Sequence, residues 1–268
     1  MIKLDYHSHS FFSPDSYATI DEMAEMAIEL GIEEYAVTDH VDFLHPSGKL
    51  ANAQPMSRYV NAVLEKQRNF AGRLKILLGV EFGLRMDSIA SAEKIAAEYD
   101  FDIIIGSTHE YLDGTDYYLP NFYGTKAKQE AYTAYFENML NVINACDCFD
   151  VVGHLDYIER YGRYNDKTLH YKDYAEVIDA VLRAVIQKGK GIELNTSGLA
   201  YGLGHAHPCS EILRRYKELG GEILTVGSDA HRPVAVGQYF ENAKKILEDV
   251  GIKYITSFEN RKPTMVKI

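Results

Sequence analysis

The sequence predicts an α/β fold in which parallel strands form a barrel and gather a metal site at their C-terminal ends. Short β-rich apolar runs alternate with stretches whose apolar residues recur at helical spacing, the signature of a parallel sheet covered by helices. A length of 268 residues suits one α/β barrel. Six of the ten histidines stand near the C-terminal end of one of these runs, accompanied by carboxylates. Parallel barrel strands point those ends at a single mouth, so residues far apart in sequence converge there.

Ile2 to Tyr6 is the first strand, and D-Y-H-S-H (Asp5 to His9) closes it. Ile20 to Leu30 has helical spacing, with Thr19 or Asp21 at its start and Gly31 as its stop. Tyr35 to Thr38 is the second strand, ending in T-D-H (Thr38 to His40). A helix over Tyr59 to Phe70 leads to the third strand, Leu74 to Val80, which ends in G-V-E (Gly79 to Glu81). Ile89 to Tyr99 is helical, and Asp102 to Ile105 is the fourth strand, followed by S-T-H (Ser107 to His109). The Tyr- and Gly-rich stretch Tyr111 to Gly124 is too long for a tight connection and is expected to be a binding loop.

The helix Ala131 to Ala145 returns to the fifth strand, Phe149 to Val152, which ends in G-H-L-D (Gly153 to Asp156). Tyr174 to Lys188 is helical, and Gly191 to Leu194 is the sixth strand, running into E-L-N-T-S-G (Glu193 to Gly198). Pro208 to Leu219 is helical, and Glu222 to Val226 is the seventh strand, ending in G-S-D-A-H (Gly227 to His231). A helix over Glu241 to Val250 precedes a last apolar run, Tyr254 to Ser257, which carries no polar constellation. The pattern favours seven core strands over eight and leaves the last run open.

Composition is ordinary for a globular chain, at 46% hydrophobic and 25% charged. With no repeat, low-complexity tract or Pro/Gly-rich linker, one domain over residues 1–268 is expected. A net charge of −11 argues against a basic surface for nucleic acid. An acidic surface that keeps the protein soluble accounts for most of that charge, and carboxylates neutralised by divalent ions account for part. Cys146, Cys148 and Cys209 are odd in number and contain no C-x-x-C, so neither a disulfide framework nor a cysteine zinc site is expected. The N-terminus has no basic stretch followed by an apolar segment, and no apolar run approaches the roughly 18 residues that span a membrane. A cytoplasmic location is expected. Nucleotide-binding glycine loops, G-x-S-x-G and H-E-x-x-H do not occur.

Residues two apart at a strand end point to the same side, so His7 and His9 can grip one ion. Asp229 and His231 repeat that spacing after the seventh strand. Glu81 follows an apolar strand directly, where an unpaired charge is costly, and a carboxylate shared by two cations explains its position. His109 and His154 follow the fourth and fifth strands and are the natural ligands of the second ion, with a satisfied core histidine as the alternative for either one alone. His40 follows Asp39, a carboxylate that either orients an imidazole or ligates. Asp15 lies in a loop of small polar residues and is the weaker candidate. His45, His170 and His205 read as ordinary, whereas His207, Asn195, Ser197 and Arg160 follow strands at the same mouth. Arg160 has the guanidinium geometry to hold a phosphate, with a solvated loop position as its alternative.

Taken together and in order from Asp5 to His231, these motifs resemble the PHP (polymerase and histidinol phosphatase) superfamily. The opening H-S-H-S-x-x-S-P-D and the E-L-N-T-S-G segment are most similar to its stand-alone histidinol-phosphate phosphatase branch. The resemblance implies a distorted (β/α)7 barrel holding two to three divalent ions, with Zn, Mn, Fe or Co all compatible with the ligand types. It places His7, His9, Glu81 and Asp229 on a first ion, and Glu81, His109 and His154 on a second. Asp15, His40 and His231 would hold a third, with Asp5 behind the ligands. Some relatives have His where this chain has Asp15, so the third set departs from their ligand chemistry by one carboxylate.

The activity implied is hydrolysis of a small phosphomonoester, with L-histidinol phosphate as the expected substrate and a metal-bridging hydroxide as nucleophile. Glu81, Asp229 and His231 are the expected catalytic residues, and Arg160, Ser197 and His207 the expected substrate contacts. Neither nucleic acid nor membrane is an expected partner, and the sequence assigns no oligomeric state. The alternatives within the superfamily are a phosphodiesterase or exonuclease and a protein tyrosine phosphatase. An amidohydrolase-type deaminase fits less well, because such barrels usually carry Lys on strand four and His on strand six, where His109 and Glu193-Leu194-Asn195 stand here. A regulatory module with a degenerate site would lack ligands, and none is missing.

Overall fold

The computed structural model describes residues 2–51 and 54–268. In chain order its strands are β1 (Leu4–Asp5), β2 (Glu34–Val37), β3 (His40–Val41), β4 (Phe43–Leu44), β5 (Lys49–Leu50) and β6 (Lys75–Gly83). They continue as β7 (Ile103–Ser107), β8 (Val151–Val152), β9 (Gly191–Asn195), β10 (Leu224–Gly227), β11 (Tyr254–Glu259) and β12 (Lys262–Lys267). The main sheet is parallel in the order β1-β2-β6-β7-β8-β9-β10, and β3 pairs with the far end of β6. This is the seven-stranded, nearly closed barrel that the sequence favours.

The last strand meets the first through single backbone bonds instead of a full ladder. The Tyr6 amide donates to the Val226 carbonyl (2.9 Å), Asp229 to His7 (2.8 Å) and His9 to Ala230 (2.8 Å). Covering helices are α1 (Ile20–Glu29), α2 (Met56–Asn69), α3 (Ile89–Glu98), the short α4 (Pro120–Tyr123) and α5 (Lys128–Ala145). After them come α6 (Ile158–Tyr161), α7 (Ala175–Gln187), α8 (Ser197–Ala200), α9 (Ser210–Glu218) and α10 (Phe240–Val250). α1 opens with a capping box, in which the Glu22 amide donates to Thr19 Oγ1 (3.2 Å) and the Thr19 amide to Glu22 Oε2 (2.8 Å). Strands β7, β9 and β10 are buried at every residue, which is why they read as continuous apolar runs without alternation.

Element bounds depart from the sequence reading where side chains bond the backbone. The fifth strand is expected from Phe149 but begins at Val151: the Asp150 amide bonds the Ile104 carbonyl (2.8 Å), yet the Ile104 amide donates to the Asp150 carboxylate (2.9 Å) in place of a backbone carbonyl. The third strand runs on to Gly83, which carries Glu81 inside it. The loop expected over Tyr111 to Gly124 contains α4 and a bridge between Glu110 and Asp116. The last apolar run is not a barrel strand. It forms β11, which pairs antiparallel with β12 through a turn at Asn260 and Arg261, both at positive φ.

That hairpin covers the N-terminal ends of the barrel strands. Ser257 Oγ donates to Glu34 at the start of β2 (2.8 Å), Thr256 Oγ1 accepts from Leu224 at the start of β10 (3.0 Å), and the Arg261 guanidinium grips Asp150 before β8 (2.9 Å). The opposite end, where the strands finish, is thereby the open mouth. Among the described residues, no helix is long and apolar enough to cross a membrane.

Candidate metal centre

A cleft of about 1000 Å³ opens at the C-terminal ends of the strands, and His40, His109, His154, Asp229, His231, Asp15, Arg160 and Ser197 all border it. His7 and His9 leave β1 on one side of the seam, and Asp229 leaves β10 on the other. Their donor atoms converge. His7 Nε2 lies 3.3 Å from Glu81 Oε2 and 3.7 Å from Asp229 Oδ1, and His9 Nε2 lies 3.6 Å and 3.3 Å from the same two oxygens.

The other oxygen of Glu81 faces a second set. Oε1 is 3.0 Å from His154 Nε2 and 3.4 Å from His109 Nε2, while those two imidazole nitrogens are 3.3 Å apart. Glu81 is fully buried, and Oε1 also accepts a hydrogen bond from Ser107 Oγ (2.6 Å). A third set lies nearer the mouth, with Asp15 Oδ2 3.1 Å from His231 Nε2 and 3.6 Å from His40 Nε2. His40 sits directly opposite Glu81 in the β3–β6 register and turns Nδ1 to Glu81 Oε2 (2.8 Å).

Divalent cations fit this arrangement. Zinc bonds of about 2.0–2.1 Å in tetrahedral geometry put neighbouring ligand atoms about 3.3 Å apart, close to the separations in the first two sets. Buried polar atoms normally have a hydrogen-bond partner. Here His7 Nε2 and His9 Nε2 have no well-formed hydrogen bond among the described residues, and both face the cluster. These two nitrogens and the carboxylate oxygens they face leave room for an ion.

Electrostatics lead to the same reading. Burial opposes charge on Glu81 and Asp229, yet the surrounding imidazoles hold both carboxyls well below the usual range. Burial works against His7 too, but Glu193, Glu81 and Asp229 raise it well above an ordinary histidine, and His109 is pushed up to about 9 against burial by Glu81 and Asp42. His9 goes the other way, lowered by burial and by the neighbouring His231 and His40. The carboxylates call for positive charge at the centre, which protons or metal ions can supply.

Every residue expected to bind metal therefore lies in one cluster. The sequence reading missed Asp42, whose carboxylate is 3.9 Å from His109 Nδ1 and groups with His40 and His109. Asp42 stands two residues beyond His40, so the two-apart rule applied to His7 and His9 would have found it. Asp229 occupies the left-handed region (φ 56°), uncommon for a residue with a side chain. Its Oδ2 accepts from Ser197 Oγ (3.1 Å), so Ser197 reaches the site through Asp229. Asp5, pushed up to about 6 by burial, braces the same turn by accepting the Ser228 amide (2.9 Å) and the Gly237 amide (3.1 Å).

Arg160 borders the cleft with its guanidinium flat over the Tyr201 ring, 3.1 Å from the centroid, and near Tyr161 (5.2 Å). His207 does not border the cleft. Its imidazole is fully buried and bonded to the buried Asp156 carboxylate, because the segment Asn195 to His207 folds back on itself through reciprocal backbone bonds. The structure thus places His207 behind the cleft wall and not on its surface, unlike Arg160 and Ser197. Of the histidines read as ordinary, His45 pairs with Asp87 (2.9 Å) and His205 with Glu159 (3.3 Å).

Comparison with known proteins follows this geometry. The PHP domain family matches residues 5–197. A probable histidinol-phosphatase of Clostridium acetobutylicum is 33% identical over 96% of this chain and 97% of its own length. The histidinol-phosphatase of Lactococcus lactis is 32% identical, covering 98% of this chain and 96% of that protein. The crystal structure of a Lactococcus lactis histidinol phosphate phosphatase complexed with zinc, L-histidinol and phosphate superposes with a TM-score of 0.89 at 30% identity, covering 98% of both chains. A Listeria monocytogenes structure, at 20% identity and a TM-score of 0.76, shares the fold. A domain match over most of the chain, and relatives above 30% identity along nearly all of it, place this chain in the PHP family.

Proposed function

We propose that this protein is a metal-dependent phosphomonoester hydrolase whose substrate is L-histidinol phosphate. The observation that carries the reading is Glu81, a buried carboxylate with one oxygen turned to His7 and His9 and the other to His109 and His154. Such a residue is suited to hold two cations side by side. His7, His9, Glu81 and Asp229 would hold the first, Glu81, His109 and His154 the second, and Asp15, His40 and His231 a third. Two to three divalent ions bound there lower the pKa of water towards neutrality and neutralise phosphoryl oxygens.

The chain's own residues supply the rest. Arg160 offers N–H donors to non-reacting phosphate oxygens from the wall of the cleft. Ser197 fixes the Asp229 carboxylate, and His231 leans its Nδ1 on the Asp229 carbonyl (2.9 Å), so both hold their angles towards the centre. The alcohol of the substrate would lie towards Asp42, Asp116, Tyr118 and Tyr157 on the same cleft. Carboxylates beside aromatic rings favour a positively charged alcohol such as histidinol over a nucleotide. The related enzyme holding zinc, L-histidinol and phosphate supports this choice. A small-molecule substrate, no nucleic-acid partner and a cytoplasmic location complete the proposal.

The test is a substrate panel on purified, metal-loaded protein, with L-histidinol phosphate beside tyrosine phosphate and a nucleotide diester. A kcat/KM for L-histidinol phosphate at least about tenfold above the others is expected. Preference for the diester or for tyrosine phosphate would assign the chain to another activity of its family.

A further inference from the structure

We infer that Glu193 is a positioning residue that ties the first and second metal sets together with one buried carboxylate. The inference rests on the metal-dependent reading above and deepens it. Glu193 lies within the apolar strand β9 and is fully buried. An ionised carboxylate in that position is costly unless it is paired. Its oxygens are divided between two different ligands. Oε1 stands 2.7 Å from His7 Nδ1, and Oε2 accepts the backbone N–H of His154 (3.0 Å) together with Asn195 Nδ2 (3.1 Å).

The two contacts do different work. An imidazole that donates Nδ1–H to a carboxylate carries its lone pair on Nε2, and His7 Nε2 is the atom that faces Glu81 and Asp229. The second contact fixes the backbone where the chain leaves β8, and so sets how far His154 Nε2 projects towards Glu81 Oε1 (3.0 Å). A shift of Glu193 would therefore move one ligand of each set at once. His40 also turns Nδ1 to a carboxylate, but that carboxylate is Glu81 Oε2 (2.8 Å), itself a member of the donor sets. His9 reaches a carboxylate only through a hydroxyl, its Nδ1 being 3.0 Å from Ser13 Oγ, which donates to Asp39 (2.6 Å).

The neighbouring strand is shaped to admit this carboxylate. A Cβ on Gly227 would stand 2.3 Å from Glu193 Oε1 and 2.4 Å from His7 Cβ, so only glycine lets β10 pass the pair. Both oxygens must accept, because His7 Nδ1, the His154 amide and Asn195 Nδ2 all donate. Glutamine offers one oxygen and turns its amide N–H groups against the other donor. Aspartate keeps two acceptors but withdraws them by about one methylene, roughly 1.5 Å, and cannot reach both donors. The order of damage should accordingly be Glu193→Gln worse than Glu193→Asp, opposite to what side-chain volume predicts.

The test measures zinc alone, without substrate, by competition with a chromophoric chelator on the full-length protein. Glu193→Gln is expected to weaken binding of the two tightest zinc ions by 10- to 100-fold, with both restored at excess zinc and KM then changed less than about twofold. Glu193→Asp should fall between this variant and wild type. In nitrogen-15 spectra of the zinc-loaded protein, His7 should carry its proton on Nδ1 in wild type and lose that fixed state in Glu193→Gln. Wild-type affinity for both ions in a folded Glu193→Gln protein would overturn the inference. If that variant does not fold, wild-type affinity in Glu193→Asp would overturn it instead. A wild-type protein that binds no zinc would remove the metal reading itself and this inference with it, whereas rejection of L-histidinol phosphate as substrate would leave the zinc result standing.

Discussion

His207 and Asp156 form a closed pair inside the protein: the imidazole Nδ1 is bonded to the carboxylate, and neither side chain is exposed. The other Asp156 oxygen accepts the Cys209 amide (2.8 Å), so the pair anchors the return loop before α9. His207→Ala should cost about 3 kcal/mol, because it leaves a buried carboxylate without its partner. Its KM should stay within about twofold of wild type. Denaturant unfolding together with steady-state kinetics checks both. A large rise in KM with unchanged stability would return His207 to the substrate.

Glu81→Gln removes the charge that both inner donor sets share. The variant should keep its fold, lose at least one equivalent of metal and drop in kcat by about a thousandfold or more. Metal analysis of the purified variant beside its turnover decides. Wild-type metal content and rate would contradict a shared carboxylate.

Arg160 borders the cleft without touching the donor sets, so binding and chemistry can be separated there. Arg160→Ala should leave metal content intact and raise KM at least about tenfold, equivalent to about 1.4 kcal/mol of lost interaction. A fall in kcat as well would mean that the contact strengthens as charge develops on the phosphoryl group. Unchanged kinetics would place Arg160 on the solvated wall.

Chelation should abolish activity reversibly and lower the melting temperature. At free metal near a hundred times its dissociation constant, bound metal contributes about 2.7 kcal/mol, or about 5 °C for a chain of this size. Calorimetry before and after chelation, and after metal is restored, measures the shift. An unchanged melting temperature would show that the carboxylate–imidazole cluster is stable without cations.

His205 offers a pH test away from the metal sets. Burial alone would lower its pKa, but the hydrogen bond with Glu159 and the charge of Asp156 push it up to about 9. A raised value in the folded state means that the charged imidazole stabilises the protein fully below the unfolded value of about 6.5, and that this contribution disappears as pH rises through about 9. Metal-loaded protein should thus lose up to about 3 kcal/mol between those limits. His205→Asn should flatten that slope, and an identical slope in the variant would refute the assignment.

The barrel and the inner cluster were legible because their causes are local. Strands buried on both faces leave continuous apolar runs, and a histidine or carboxylate at the end of such a run has few other reasons to be there. Glu81 could be singled out on that basis, whereas His109 and His154, each as readily a core histidine, became candidates only beside it. His207 could not, since nothing in G-L-G-H-A-H-P says that the segment folds back against Asn195 and buries the ring. The last apolar run was equally opaque: β11 is apolar like a barrel strand, and only pairing with β12 around Asn260 and Arg261 turns it into a plug. Asp42 was within reach, two residues past His40, but lay outside the T-D-H motif that drew attention.

The bonds that close the barrel also set a schedule for its assembly. His7 and His9 are synthesised before the intervening strands, and Asp229 and His231 after them. Domains acquire their structure as units during or after synthesis, and the first donor set exists only when the last strand has docked beside the first, as the Asp229–His7 and His9–Ala230 backbone bonds require. An ion in the first set would therefore have to be loaded after the last strand has docked. A chain halted before residue 224 would lack the Asp229 carboxylate of the first set while already containing every residue of the second, Glu81, His109 and His154, so the two inner sets would be completed at different stages of synthesis.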